Sequence, residues 1–211
     1  MTIRYRIRFT RGIMAISLAA CAMLGQSAFA ESVQPPPVPD DLEVEAGFAP
    51  FLVGHAVGTQ DYVCLPSAGG ASWTFFGPQA TLFTEIKFGA LDIKQQIITH
   101  FLSPNPDEKG TARATWQSSF DSSAVWAKIK QPSTDEKFVA RGAIAWLLLE
   151  VVGSEPGPTR GTSLNPTKFI QRLNTAGGLA PSTGCSDVSN VGSTALVPYT
   201  ADYYFFRKVG P

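Results

Sequence analysis

The sequence predicts a single, mainly β domain, either a sandwich or a barrel-like fold with long loops and little helix. From Gly47 onward, short runs rich in β-branched and aromatic residues are separated by turn signals. The run 124–130 alternates apolar and polar residues at the period of a half-buried strand. No repeat and no second boundary interrupts the pattern, so residues 47–211 are predicted to form one domain.

Residues 1–30 are predicted to be a signal peptide. Four arginines open the segment, an apolar run follows from Ile13 to Leu24, and Ala28-Phe29-Ala30 provides the small residues that a signal peptidase reads. The apolar run is too short to cross the roughly 30 Å hydrocarbon core as a helix. Cleavage after Ala30 would leave a mature chain that begins at Glu31 and has no transmembrane helix.

A lipoprotein signal is the alternative for this segment. Leu18-Ala19-Ala20-Cys21 has the form of a lipidation site, which would leave the protein lipid-anchored at Cys21. Ordinary cleavage is favoured because the residues after Cys21 stay apolar, whereas a mature lipoprotein usually starts polar. Both alternatives predict an exported protein, periplasmic or secreted.

Charge and composition exclude some partners. The predicted signal peptide holds four of the 17 basic residues and none of the 17 acidic ones, so the mature chain has a net charge of about −4. A mildly acidic chain without Lys/Arg clusters predicts no nucleic-acid partner. Residues 31–46 form a Pro-rich acidic lead-in, predicted to be a solvated tether.

The elements of the domain follow from runs between turn formers. A loop is predicted at Asn105–Gly110, where several turn-forming residues cluster. Two segments, Ala143–Val152 and Thr167–Asn174, are left undecided between strand and helix, although Val151 and Val152 favour a strand in the first. Predicted strands are Phe48–Ala56, Thr59–Leu65, Ser72–Phe76, Thr81–Lys87, Ile93–Phe101, Ala112–Trp116, Ala124–Lys130 and Tyr199–Val209.

Cys64 and Cys185 are the two thiols free to pair in the mature chain. In an oxidising compartment an even pair most simply forms a disulfide. It would close a loop of about 120 residues, for which the chain-entropy model gives about 4–5 kcal/mol. A metal or redox site is the weaker alternative, since there is no Cys-x-x-Cys and the chain has only two histidines. No metal and no cofactor are therefore predicted.

Catalytic signatures are absent from the sequence. It contains no dinucleotide or phosphate-binding glycine motif, no nucleophile elbow and no His-Glu-x-x-His. His100, at the end of a predicted strand, and Asp121, in the following turn, are the candidate catalytic pair of a small hydrolase or lyase. A surface histidine hydrogen-bonded to a loop is the favoured interpretation of His100, because no third group is identifiable.

Aromatic and charged residues provide further candidates. Trp116 and Trp126 are the candidate binding residues, and Trp126 is expected to be exposed because it lies on the polar side of its strand. His55 is interpreted as a hydrogen-bonded strand histidine. Asp202, inside an aromatic run, would need Arg172 or Arg207 as a partner if it points inward.

Several segments of the chain together resemble a known family, the secreted bacterial and fungal proteins of domain of unknown function 3455. Ala145, where the family often has Pro, and Ser122, where Gly is commoner, depart from its pattern. The segments that carry the resemblance are 56–64, His100, 115–116, 121–123, 144–149, 170–178, 184–185 and 197–205.

The resemblance implies secretion and a pairing of Cys64 with Cys185, but no activity. Some fungal relatives carry a dehydrogenase label, which does not suit this chain because it lacks the glycine fingerprint and the strand–helix alternation of a dinucleotide fold. The sequence therefore favours a non-catalytic binding or cell-envelope module whose partner is an unknown small molecule or envelope component. The hydrolase or lyase is the alternative.

Overall fold

The computed structural model describes residues 33–210, which fold into a closed barrel of eight antiparallel strands. Each strand pairs with the next one along the chain, and the last strand pairs with the first, so that no sheet edge remains between them. Of the two predicted architectures, the barrel is the one that forms. The strands are β1 Phe48–Ser67, β2 Gly70–Phe88, β3 Leu91–Asn105, β4 Thr111–Ser118, β5 Ala124–Ser133, β6 Trp146–Glu155, β7 Thr167–Gly177 and β8 Thr194–Lys208.

The strands are longer than the sequence predicts. β1 and β2 each join two predicted runs. The pairing of β1 with β2 contains a register shift between Asp61 and Tyr62. Both undecided segments form strands, β6 and β7. The predicted loop at Asn105–Gly110 is confirmed and contains a 3-10 helix, Pro106–Glu108. Between residues 33 and 210 there is no α-helix, and none long and apolar enough to span a membrane.

The first four residues of β6 are apolar because the protein buries both sides of the strand there. Leu147 and Leu149 face the barrel interior, whereas Trp146 and Leu148 belong to a second cluster on the outer surface. Residues 33–44 of the lead-in cover that outer cluster, so the expectation of a solvated tether is wrong for them. Burial of apolar side chains at about 25 cal/mol per Å² favours this packing over solvation.

The lead-in is also held by hydrogen bonds. Leu42 is fully buried, and its carbonyl oxygen accepts from Nε2 of Gln171 at 2.7 Å. Gln131 donates to the Asp41 carboxylate at 3.1 Å. The predicted signal peptide and Cys21 lie outside the described residues.

Close approach of β1 and β2 depends on a glycine. A Cβ atom at Gly58 would overlap the carbonyl oxygen of Gln79 and the Cα of Ala80. Ala56 and Ala80 are buried in the barrel interior near this point. The small residues keep the two backbones close together, and a larger side chain at position 58 would separate the strands.

The two ends of the barrel differ. We call the end with the β2–β3, β4–β5 and β6–β7 loops the closed end, because Leu164 of the β6–β7 loop packs into the interior cluster there. We call the opposite end, with the other four loops, the open end. Exposed side chains of Phe75, Leu102 and Ile129 surround a cavity at the open end.

A disulfide fixes one loop of the open end. Cys64 of β1 is bonded to Cys185 of the β7–β8 loop, with a Cα–Cα distance of 5.6 Å, which confirms the predicted pairing. Two hydrogen bonds support the same contact: Trp73 Nε1 donates to the Thr183 carbonyl at 2.9 Å, and the Tyr62 hydroxyl donates to the Gly178 carbonyl at 2.7 Å.

Candidate functional site

His100 lies inside the barrel rather than at a strand end. It occupies the middle of β3, directly opposite Trp116 of β4, and only 3 % of the residue is exposed. Its ring stacks on the Trp116 ring with centroids 4.2 Å apart and an interplanar angle of 13°. The Tyr203 ring meets the His100 ring edge-on at 5.1 Å. The expected surface histidine is therefore a member of a buried aromatic cluster.

The surroundings of His100 keep its imidazole neutral. Burial lowers the pKa to about 3, outweighing the hydrogen bond to the Thr115 carbonyl, which raises it. Nδ1 lies 2.8 Å from that carbonyl oxygen. Because a carbonyl only accepts, Nδ1 carries the proton and Nε2 keeps its lone pair. A group with so low a pKa is a weak general base at neutral pH.

Two buried N–H donors beside this cluster have no acceptor among residues 33–210. They are Nε1 of Trp116 and Nε2 of Gln60, in residues that are 1 % and 3 % exposed. Leaving such a donor unpaired costs about 1–3 kcal/mol. Four other buried polar atoms lack a partner within the described chain, but their residues do not line the cavity: Trp146, Asn165, Thr167 and Gln171.

Arg172 places a positive charge at the same site. It precedes Leu173 on β7 and faces the interior, where Nε and Nη2 both donate to the Ala145 carbonyl, at 3.2 and 2.8 Å. No carboxylate of the described residues forms a salt bridge with it. The Ala145 carbonyl and the Tyr203 hydroxyl beside Arg172 are both neutral, and they leave part of the guanidinium's donor capacity unused.

Tyr203 completes the polar part of the wall, and Tyr199 lies beside it in the interior. The hydroxyls of Tyr199 and Tyr203 lie 3.2 Å apart in the interior. Burial raises the pKa of both phenols, and the positive charge of Arg172 offsets only part of that rise. Both side chains therefore stay neutral, and since one hydroxyl donates to the other, one hydroxyl proton remains for a further acceptor.

Gln60, His100, Trp116, Arg172 and Tyr203 line one cavity of about 490 Å³ at the open end of the barrel. Its volume falls in the range of about 300–1,000 Å³ that is typical of small-molecule sites. No Asp or Glu of residues 33–210 lines it. The lining residues are Gln60, Phe75, Pro78, His100, Leu102, Ala112, Arg113, Ala114, Trp116, Ala127, Lys128, Ile129, Leu147, Leu149, Arg172 and Tyr203.

The other two cations of the cavity are already paired. Arg113 makes a bidentate contact with Glu108, with both N···O distances 2.8 Å. Lys128 lies 3.4 Å from the Glu150 carboxylate. Arg172 is thus the cation of this wall that no described acidic residue neutralises.

A second depression, of about 550 Å³, lies on the outer face of β1, β2 and β3. It is more open, and its wall contains the exposed side chains of Val57 and Phe76. Asp61, also in this wall, accepts a hydrogen bond from the Thr59 hydroxyl at 2.6 Å. The depression holds none of the unpaired donors that distinguish the interior cavity.

Asp121, the other predicted catalytic residue, lies in the β4–β5 turn at the closed end. Its Oδ1 accepts from the amide and hydroxyl of Ser123, at 3.0 and 2.7 Å. Its Oδ2 accepts from the amide and hydroxyl of Ser163, at 2.9 and 2.7 Å. Burial would raise the pKa of Asp121, but these four hydrogen bonds outweigh it and hold the pKa well below its usual range. The carboxylate ties two loops together and makes no hydrogen bond with His100.

The two predicted binding tryptophans lie in different surroundings. Trp116 lines the cavity. The expected exposure of Trp126 is wrong: only 6 % of the residue is exposed, and its Nε1 donates to the Ser103 hydroxyl at 2.9 Å. The sequence pattern fails here because the outer face of β5 is packed at Trp126, although Lys128 and Lys130 on the same face are exposed.

Asp202 does not pair with either predicted arginine. It faces outward on β8, where its Oδ1 accepts from Nδ1 of His55 at 2.6 Å and its Oδ2 accepts from Nδ2 of Asn174 at 2.8 Å. His55 and Asp202 are direct cross-strand neighbours between β1 and β8. His55 is therefore hydrogen-bonded on a strand, as the sequence interpretation has it. Among residues 33–210 no three His, Cys, Asp or Glu side chains are grouped as metal ligands would be.

Comparison with known families now identifies the fold's sequence family. The family described as "Protein of unknown function (DUF3455)" matches residues 46–207. The chain belongs to the DUF3455 family. That span includes Cys64, Cys185 and the whole wall of the open-end cavity. No curated protein and no solved structure matches the chain.

The sequence does not single out three residues of the cavity wall as ligand contacts: Gln60, Arg172 and Tyr203. Each lies in a segment that carries the DUF3455 resemblance, but a polar residue in a strand is normally assigned to the solvent face. The alternation of residues along each strand carries the relevant signal. Arg172 is two residues from Ile170, and Tyr203 is two residues from Phe205; Ile170 and Phe205 lie in the interior. Reading that parity requires knowing which face of each strand is inside.

Proposed function

We propose that this DUF3455 protein is an exported, non-catalytic binding protein that holds a small molecule in the open-end cavity. The observation that carries the proposal is the pair of buried, unpaired N–H groups of Gln60 and Trp116 in the wall of a cavity of about 490 Å³. Buried polar groups are nearly always hydrogen-bonded, so donors left free at a cavity favour a ligand that supplies the acceptors.

The same geometry gives the enzyme alternative little support. A hydrolase or lyase based on His100 and Asp121 needs the two side chains in contact or bridged by one water. His100 hydrogen-bonds to Thr115 inside the barrel, whereas all four hydrogen bonds of Asp121 join loop residues at the closed end. The low pKa of His100 also makes it a poor base near neutral pH. Binding without catalysis is the simpler function for this site.

Export is supported by the disulfide between Cys64 and Cys185, because such bonds persist in oxidising compartments and are rare in the cytosol. It rests further on the signal-peptide pattern of residues 1–30. Mass spectrometry of the exported protein should find a chain that begins at Glu31. A lipid-modified chain beginning at Cys21 would replace soluble export with membrane anchoring.

Ligand binding can be tested by a thermal-shift screen of the mature protein against organic acids, alcohols, sugars and metals. A ligand that binds only the folded state raises the midpoint of unfolding. The matched variants are Ala114→Phe, which adds bulk beside Trp116 in the cavity wall, and Ala176→Phe, at an exposed position of β7.

We expect at least one compound class to stabilise the wild-type protein and Ala176→Phe but not Ala114→Phe. The larger side chain fills space that the ligand needs. Equal stabilisation of both variants would place the ligand elsewhere, and no stabilisation by any class would contradict the binding function.

A further inference from the structure

The cavity wall divides into a polar part and an aliphatic part. Donors and the unneutralised guanidinium lie together at Gln60, Trp116, Tyr203 and Arg172. The rest of the wall is mainly hydrocarbon. Its aliphatic members are Leu102, Ala114, Ala127, Ile129, Leu147 and Leu149. A ligand that matches both parts has a compact group rich in acceptors at one end and an apolar body.

The charge of the polar part selects an anion. Arg172 has no acidic partner in the described chain, and the cavity wall contains no carboxylate that would repel a negative charge. A guanidinium presents donors in a planar fork that suits a carboxylate, and charge-assisted hydrogen bonds are about twice as strong as neutral ones.

The aliphatic part of the wall favours an anion that carries a hydrocarbon chain. Burial of a ligand chain against leucine, isoleucine and alanine side chains gains about 0.8 kcal/mol per CH₂ group. Inorganic anions and small dicarboxylates would leave this surface unused. The exposed Phe75, Leu102 and Ile129 around the opening extend the apolar surface toward solvent, where a chain could enter.

We infer that the open-end cavity binds an aliphatic monocarboxylic acid, with its carboxylate on Arg172 and its chain against the aliphatic wall. This inference rests on the proposed binding function and specifies the ligand class. It also gives Arg172 a role that its contact with the Ala145 carbonyl does not require, since one carbonyl could be satisfied by a neutral donor.

The test compares octanoate, 1-octanol and inorganic phosphate by isothermal titration calorimetry on the mature, disulfide-linked protein at pH 7. Octanoate and octanol share the chain and differ in the charged head, whereas phosphate has charge without a chain. We expect octanoate to bind about ten- to a hundredfold more tightly than octanol, the ratio that a charge-assisted hydrogen bond gives. Phosphate should not bind measurably.

Arg172→Met should lower octanoate affinity far more than octanol affinity and thereby remove the preference for the acid. Arg207→Met is the matched control, because Arg207 lies exposed on β8 over the Phe51 ring, away from the cavity. Arg172→Lys, which keeps the charge, should retain part of the preference. If Arg172→Met does not fold, the comparison of octanoate and octanol on the wild-type protein still shows whether the cavity prefers a carboxylate.

Equal binding of octanoate and octanol would overturn the assignment of a carboxylate but leave cavity binding intact. Failure of both, with another compound class stabilising the protein through the cavity, would overturn the aliphatic acid alone. Failure of every class would remove the proposed function as well. Loss of the preference in Arg207→Met but not in Arg172→Met would place the anion site outside the cavity.

Discussion

The closed end and the open end of the barrel differ in how their polar side chains are hydrogen-bonded. At the closed end, Asp121 accepts four hydrogen bonds from Ser123 and Ser163. At the open end, the Nε2 of Gln60 and the Nε1 of Trp116 have no acceptor among residues 33–210. The sequence alone marks Asp121 as the more conspicuous candidate, since a carboxylate near a histidine suggests catalysis.

This difference distinguishes polar groups that stabilise the fold from polar groups that are available to a ligand. A polar group whose hydrogen bonds are all made within the protein contributes to folding, and its acceptors are no longer available to a substrate. A buried group left unpaired costs stability, and such costs concentrate at functional sites. Asp121 accordingly holds loops together, whereas Gln60, Trp116 and Arg172 mark the place where a ligand is expected.

The largest expected effect is the loss of stability when the disulfide at the open end is removed. Replacing both Cys64 and Cys185 by Ser should lower the free energy of unfolding by about 4–5 kcal/mol, because the unfolded chain regains the freedom of a loop of about 120 residues. Chemical denaturation of the variant measures this, with the wild-type protein under reducing conditions as the control. A loss below about 1 kcal/mol would show that the contacts of Trp73 and Tyr62 hold the loop without the bond.

The next largest effect tests the structural role of Asp121. Asp121→Ala should cost about 2–4 kcal/mol of stability, because four donors lose a charged acceptor. Octanoate affinity should stay the same, since the closed end does not touch the cavity. Asp92→Ala, at an exposed position of β3, is the control and should change stability by less than about 0.5 kcal/mol. A variant that folds normally and loses ligand binding would reverse the roles of the two ends.

The pH dependence of stability follows from the same carboxylate. The pKa of Asp121 is lower in the folded protein than the value of about 3.9 for an unfolded chain. Its ionised form therefore stabilises the fold above the unfolded pKa, and that contribution is lost as the pH falls through the folded pKa. The stability difference between the wild type and Asp121→Asn should be largest above about pH 5 and shrink below about pH 4. A difference that is constant with pH would contradict this explanation.

The smallest effect has opposite signs at the two ends. Gln60→Met, of similar size, removes an unpaired buried donor and should raise stability by about 0.5–1 kcal/mol. Ser123→Ala removes a hydroxyl that bonds Asp121 at 2.7 Å and the Leu164 amide at 3.1 Å, and should lower stability by about 1–2 kcal/mol. Destabilisation by both substitutions would mean that Gln60 is as well satisfied as Ser123.

Much of the fold follows from the sequence, because strand-forming runs and turn formers are local signals. The predicted loop at Asn105–Gly110 and the disulfide are confirmed. The sequence does not predict the joining of two runs at Gly58, since a glycine there is typical of a turn until the close approach of β2 is known. β6 remained undecided because its outer face is covered by the lead-in, a contact between distant parts of the chain.

The candidate site was less predictable for the same reason. His100 and Trp116 were named, but their stacking depends on the β3–β4 register, and Arg172 and Gln60 meet them only when the barrel closes. The His55–Asp202 pair shows the same limit, since β1 and β8 stand at opposite ends of the domain sequence. Closure of the barrel, which pairs strands that are distant in sequence, determines which polar residues face the interior. The strand propensity of each segment does not determine it.

The central claim, that the open-end cavity is the binding site, is tested most directly by the indole N–H signals in an ¹⁵N NMR titration with octanoate. The chain has four tryptophans. The indole N–H groups of Trp73 and Trp126 already donate to Thr183 and Ser103, whereas that of Trp116 is unpaired and lies in a residue of the cavity wall. With assignment by Trp116→Phe, the account predicts that the Trp116 signal moves on titration while the signals of Trp73 and Trp126 stay in place. An unchanged Trp116 signal under conditions in which octanoate binds would contradict it.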